Sequence, residues 1–166
     1  MHASVDTSRL ELQPLPAAAA HALPGDREAA AFALGAQLAP DWPHRELHDV
    51  LPLQAGAQPD DEPFGIWVMI ERETKTVVGD IGFLGPPRDD GTVEIGYSVV
   101  ADRRRRGYAT EAAAALAAWA LGDDRVHAIV AGCEKGNGAS IRTLEKVGFW
   151  RTGETEGQLR WRLEPD

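Results

Sequence analysis

The chain has 166 residues and a mass of 17.9 kDa, enough for one domain with a buried core and short for two. At 43% hydrophobic and 26% charged residues it is neither fibrous nor wholly disordered, and its longest apolar run, residues 112–121, is about half of what a bilayer crossing needs. A net charge of −9 works against nucleic acid and anionic lipid and favours cationic partners, yet four of the 17 cations stand together at Arg103, Arg104, Arg105 and Arg106.

The first residues show no basic stretch followed by an apolar one, so a secretory signal is not expected and a cytoplasmic location follows. Alternation of apolar and polar residues predicts a strand over 9–15, ended by Pro14 and Pro16. Asp26, after Pro24-Gly25, is an N-cap for a helix through Leu38, and a second helix is expected over 44–53, after Trp42-Pro43. Residues 58–63 form an acidic connection that carries no chemistry of its own. Strands then follow at 64–71 and 76–84, joined in a hairpin by Glu73-Thr74-Lys75, and a third at 92–100 makes three antiparallel neighbours.

The segment 109–121 is helical, with Ala109, Ala112, Ala113, Leu116, Trp119 and Ala120 on one stripe and Gly122 as its stop. A short buried strand is expected over 127–132, followed by Cys133, which as a lone cysteine excludes an internal disulfide and reads as a small core hydrophobe. A helix starting at Asn137 turns Ile141, Leu144 and Val147 inward and ends at Gly148, and a hairpin of 150–155 with 158–163 completes the sheet. The sum is an α+β or mixed α/β fold with about seven strands and helices covering the faces.

The chemistry points to the junction Val99-Val100-Ala101-Asp102-Arg103-Arg104-Arg105-Arg106-Gly107-Tyr108-Ala109. There a strand empties through a tight turn into a helix whose first N–H groups lack intrahelical acceptors and sit at the positive end of the dipole. From Arg103 through Ala109 no Ser, Thr, Asp or Asn is present to cap those donors. Gly107 and Ala109 leave the backbone open to close approach, as a phosphate cradle requires. The plainer alternative is a solvated arginine face with Gly107 as a turn residue.

Arg104-Arg105-Arg106-Gly107-Tyr108-Ala109 resembles the (Gln/Arg)-x-x-Gly-x-(Gly/Ala) signature of the GNAT superfamily of N-acetyltransferases, which bind the acetyl-CoA pyrophosphate there. Glu94-Ile95-Gly96-Tyr97 upstream, Thr110-Glu111-Ala112 within the helix, Asn137-x-x-Ser140, and Leu144-Glu145-Lys146-Val147-Gly148-Phe149 extend the match. Together, over about residues 77–153, these blocks are similar to the branch containing the ribosomal-protein N-terminal (Rim-type) acetyltransferases. Residues 17–63 match nothing assignable.

The resemblance implies a mixed, mostly antiparallel GNAT-like sheet, splayed where acetyl-CoA enters, with residues 1–166 as one N-acetyltransferase domain. Within it, 7–63 would supply the first strand and acceptor-side helices and 64–166 the acetyl-CoA-binding core. It further implies that acetyl-CoA is held by the backbone near Val99 and by Arg104, Arg105, Arg106, Gly107, Tyr108, Ala109, Thr110, Asn137 and Ser140. Acyl transfer by direct attack needs a neutral amine, and Glu94, near the start of the central strand, is the candidate base, with water as the other possibility and an exposed strand residue or a structural ion pair as the bland reading. Leu144 stands where the wider superfamily often has a tyrosine to protonate the departing thiolate, so Ser140 is the candidate donor; Asn137 also reads as a plain N-cap.

The acceptor implied is an amine, either a protein N-terminus or a small cationic molecule such as a polyamine or antibiotic. A non-catalytic acyl-CoA-binding module is an alternative. Nucleic acid is not an expected partner because 26 acidic residues outnumber the remaining cations; no membrane partner and no metal are expected, and a homodimer is compatible with the resemblance. His44 and His48, at i and i+4 without a third ligand, read as a solvent-facing pair, and Trp42 as core.

Overall fold

The computed structural model describes residues 3–58 and 61–166; positions 59 and 60 of the acidic connection, and the first two residues of the chain's opening, lie outside the described residues. The chain opens with β1 (Val5–Asp6) and β2 (Leu10–Pro14), then α1 (Ala17–Ala22), α2 (Arg27–Leu34), β3 (Gln37–Leu38), α3 (Arg45–His48) and α4 (Leu51–Ala55). A meander of β4 (Ile66–Glu71), β5 (Thr76–Phe83) and β6 (Thr92–Val99) leads into α5 (Tyr108–Leu121), β7 (Ala128–Glu134), α6 (Gly138–Val147), β8 (Trp150–Thr155) and β9 (Gln158–Leu163). Strands run in the order β1-β2-β4-β5-β6-β7-β9-β8, with β3 added alongside β5. The pairing is antiparallel except at β6–β7 and β3–β5, a mixed and mostly antiparallel sheet.

Nine strands, rather than about seven, are present among the described residues. The additional ones, β1 and β3, are two residues long, too short for a period-two pattern to show. The Asp26-capped helix stops at Leu34 instead of Leu38, because Gly35 turns left-handed (φ 65°) as a C-terminal cap, and Gln37–Leu38 pairs with Thr76 and Val77. The helix expected over 44–53 is two short helices, Pro52 starting the second in the first turn, where a missing N–H costs nothing. Residues 17–22, for which no element was expected, form α1, packed through Ala19 and Ala20.

Side-chain alternation along the strands separates two faces. Trp67, Ile81 and Tyr97 are cross-strand neighbours on one face, where Trp67 packs on Trp119 of α5 with ring centroids 5.1 Å apart, and Tyr97 meets Ser140 of α6. Val68, Asp80 and Ser98 form the adjacent row on the opposite face, where Trp42, just before α3, donates from Nε1 to Asp80 at 2.9 Å. The N-terminal helices are tied to that side of the sheet by Gln54, which donates to the Leu15 carbonyl and accepts from the Ile66 N–H.

The sheet opens between β6 and β7. Their parallel ladder covers Thr92, Val93 and Glu94, opposite Ala128, Ile129 and Val130, and goes no further. Beyond it β6 stays paired with β5 up to Val99, while β7 stays paired with β9 up to Glu134. Residues 95–99 therefore present one strand edge to a gap.

Candidate active site

Gly107 is the N-cap of α5, in the left-handed conformation at φ 82°, and no side chain caps the helix. Arg105, two residues earlier, is also left-handed (φ 64°), so the loop curls its backbone around the helix start. Glu71 anchors this loop from below. It accepts from Arg103 Nε at 2.9 Å and from the Tyr108 hydroxyl at 2.7 Å, and Arg9 lies over the Tyr108 ring. Burial alone would raise the Glu71 carboxyl, but hydrogen bonds from Thr74, Tyr108 and Arg103 bring it down to about 2.

A cavity of about 620 Å³ lies against this loop and runs between α5 and α6. Val99, Arg104, Arg105, Gly107, Tyr108, Ala109, Thr110, Asn137 and Ser140 all line it; Arg106 does not. Its charged lining is wholly cationic, with Arg103, Arg142 and Lys146 added to Arg104 and Arg105. Asn137 caps α6 by accepting from the Ser140 N–H at 3.0 Å. Arg104 donates to the Val99 carbonyl at 2.9 Å, so the strand-edge oxygen expected to face the pantetheine arm is met by an arginine.

A second cavity, about 950 Å³, opens on the opposite face under α3 and α4. Its charged lining includes Glu46, Asp61 and Asp80, with Arg45 and His44, around an apolar wall that includes Phe64, Phe83 and Leu53. Tyr97 and Ser98 line both cavities. The cavities thus meet at the open edge of β6, one residue turned to each face. The Tyr97 hydroxyl and Ser140 Oγ share a 2.8 Å hydrogen bond, and burial pushes the Tyr97 phenol above its ordinary value, which keeps it protonated and able to donate.

Glu94 is not brought to this meeting point. Its Oε1 lies 3.5 Å from Arg88 and 3.4 Å from Arg160, and it is absent from the lining of both cavities. His44, read from sequence as half of an exposed pair, instead lines the larger cavity with Nε2 at 3.5 Å from Asp80 Oδ2, while His48 is exposed and apart from it. Trp42 is core, 1% exposed, and serves as donor to the same Asp80. Asp80 gave no signal because a polar residue in an apolar strand names no partner; Arg142 and Lys146 were missed, although two cations spaced i and i+4 on one helix face were a signal that could have found them. Among the described residues no three His, Cys, Asp or Glu side chains converge to hold a metal.

Comparison with known proteins shows the family and the fold. The model of the GNAT acetyltransferase domain matches residues 9–150. The uncharacterized N-acetyltransferase YjdG of Bacillus subtilis is 33% identical over 160 residues, 95% of each chain. The ribosomal-protein-S5-alanine acetyltransferase of Vibrio fischeri has the same fold at a TM-score of 0.73 and 15% identity, with 99% of this chain and 97% of that one covered. The microcin C7 self-immunity acetyltransferase MccE, solved with acetyl-CoA and AMP, superposes at a TM-score of 0.67 and 17% identity over 96% and 94% of the two chains. Domain match and full-length relative agree: this chain is a member of the GNAT acetyltransferase family and an acetyltransferase.

Proposed function

We propose that this chain transfers the acetyl group of acetyl-CoA to a primary amine by direct attack within a ternary complex. The observation that carries this reading is the pair of cavities of opposite character, one lined by cations and one bearing carboxylates, that meet at Tyr97 and Ser98 on a splayed strand. The uncapped N–H groups of Tyr108, Ala109 and Thr110 would take the pyrophosphate, with Arg104, Arg105, Arg142 and Lys146 neutralising its charge. Arg106 would act as outer electrostatic support. Val99 and its neighbours on the β6 edge would hold the pantetheine arm, with Arg104 giving up the Val99 carbonyl.

Such positioning supplies much of an acyl transfer by proximity, and backbone donors at the strand edge stabilise the developing oxyanion. The Ser140 hydroxyl, backed by Tyr97, would return a proton to the leaving thiolate, and the start of α6 lowers the demand for a strong acid there. Glu94, held between two arginines, fits a structural role at the sheet opening better than that of base.

The motif blocks and the fold of the ribosomal-protein acetyltransferase support placement in the Rim-type branch, with a protein N-terminal amine as acceptor. A cavity of about 950 Å³ with a buried carboxylate favours a second reading, a small-molecule amine. Calorimetric titration with acetyl-CoA, followed by thiol release with a panel of N-terminal peptides and small amines, tests the proposal. Binding with amine-dependent thiol release is the expected result. Binding without release for any amine would make the chain an acyl-CoA-binding module.

A further inference from the structure

Asp80 is 7% exposed at the floor of the larger cavity, directly across the β5–β6 ladder from Ser98 and so beside the point where the two cavities meet. A carboxylate so buried is costly unless a positive or donating group answers it. Its Oδ2 takes the Trp42 Nε1–H at 2.9 Å and stands 3.5 Å from His44 Nε2; among the described residues no hydrogen bond reaches Oδ1. The His44 side chain is 36% exposed and lines the same cavity. Above them the rim is apolar and open, with Leu53 75% and Leu84 72% exposed.

We propose that Asp80 and His44 form the amine subsite of this cavity, Asp80 receiving the ammonium group of an acceptor with an apolar body and His44 taking its proton. The inference deepens the acetyl-transfer reading and rests on it. The ammonium gives one proton to the His44 imidazole, and the freed lone pair attacks the thioester carbonyl. The C–N bond forms, the C–S bond breaks, and the amine's second proton accounts for the one gained by the thiolate. The products are the N-acetylated amine, the CoA thiol and one proton on His44, which passes to water. Asp80 stabilises the imidazolium formed, as a carboxylate behind a histidine base does.

The groups facing His44 set the direction of its titration. The Asp80 carboxylate of β5, accepting from the His44 N–H, is the largest influence and raises it, burial opposes, and the charges of Asp80 and of Glu46 on α3 raise it further; Asp61 and Arg45 line the same cavity. The histidine therefore loses its proton above the ordinary value of 6.5, and kcat/KM should climb as the pH rises through that range.

The test is thiol release by the full chain with acetyl-CoA and phenethylamine as probe, followed from about pH 6 to pH 10 for the parent, His44→Gln and Asp80→Asn, with acetyl-CoA affinity measured in parallel by calorimetry. We expect His44→Gln to lower kcat/KM at neutral pH by roughly ten- to a hundredfold, to lose the climb assigned to His44 and to recover toward the parent at alkaline pH, with acetyl-CoA affinity unchanged. Asp80→Asn should raise the KM for phenethylamine about tenfold or more; if circular dichroism shows that this variant does not fold, His44→Gln decides alone. A His44→Gln profile superimposed on the parent's, with acetyl-CoA bound and turned over, overturns the inference and leaves acetyl transfer standing. Thiol release with a free N-terminal serine peptide but not with phenethylamine overturns the apolar-amine class. A parent chain that binds no acetyl-CoA removes the underlying reading and the inference with it.

Discussion

Gly107 occupies a left-handed position at the start of α5, where an added β-carbon would lie 3.3 Å from Arg9 and beside the N–H groups that must approach a pyrophosphate. A β-branched residue is strained at such a φ by roughly 1–2 kcal/mol and would also fill the cradle. Gly107→Val is therefore expected to fold with reduced stability and to lose acetyl-CoA binding. Calorimetric titration checks this, and an unchanged dissociation constant would refute the cradle. At the other end of the reacting groups, Ser140 touches Tyr97 while its backbone N–H is tied to Asn137. Ser140→Ala removes the hydroxyl and leaves that cap in place, so kcat should fall about tenfold with the acetyl-CoA dissociation constant unchanged, below the full contribution of a dedicated general acid. A loss in affinity with kcat intact would make Ser140 a binding residue only.

At the scale of elements, the end of β4, the loop after β6 and the start of α5 are joined through one carboxylate, Glu71, whose side chain is 5% exposed. Its folded-state pKa of about 2 lies below the ordinary 4.5, so its stabilisation is fully present above pH 4.5 and is lost as the pH falls from there toward 2. A depression of that size corresponds to about 3 kcal/mol at neutral pH. Glu71→Gln should lose stability of that order at neutral pH and show a flatter decline across the acid window, as read by urea unfolding at several pH values. Parent and variant declining in parallel would assign the acid sensitivity elsewhere. Several elements were legible: β8 and β9 have the expected bounds, and α5 starts one residue before the expected position, because hairpin spacing and the alanine stripe are local patterns. The short α3 and α4, and the two-residue β3, were not, since packing against the sheet rather than their own periodicity fixes them.

Across the whole molecule, charge and architecture divide the work. The chain carries −9 overall, yet the cavity between α5 and α6 is lined by five cations and the one under α3 and α4 carries carboxylates. The cationic half was readable from the arginine run. The half proposed for the acceptor was not, because Asp80 lies on β5 while Trp42 and His44 lie on the segment before α3, and they acquire a shared meaning only when the two meet. The opening between β6 and β7 joins the two, and what enters it decides the reaction. The most direct measurement is a crystal structure of the chain with acetyl-CoA. The pyrophosphate is expected against the N–H groups of Tyr108, Ala109 and Thr110, the pantetheine arm along the edge of residues 95–99, and the thioester beside Tyr97 and Ser98. Acetyl-CoA bound elsewhere, or with its thioester turned away from that edge, would contradict it.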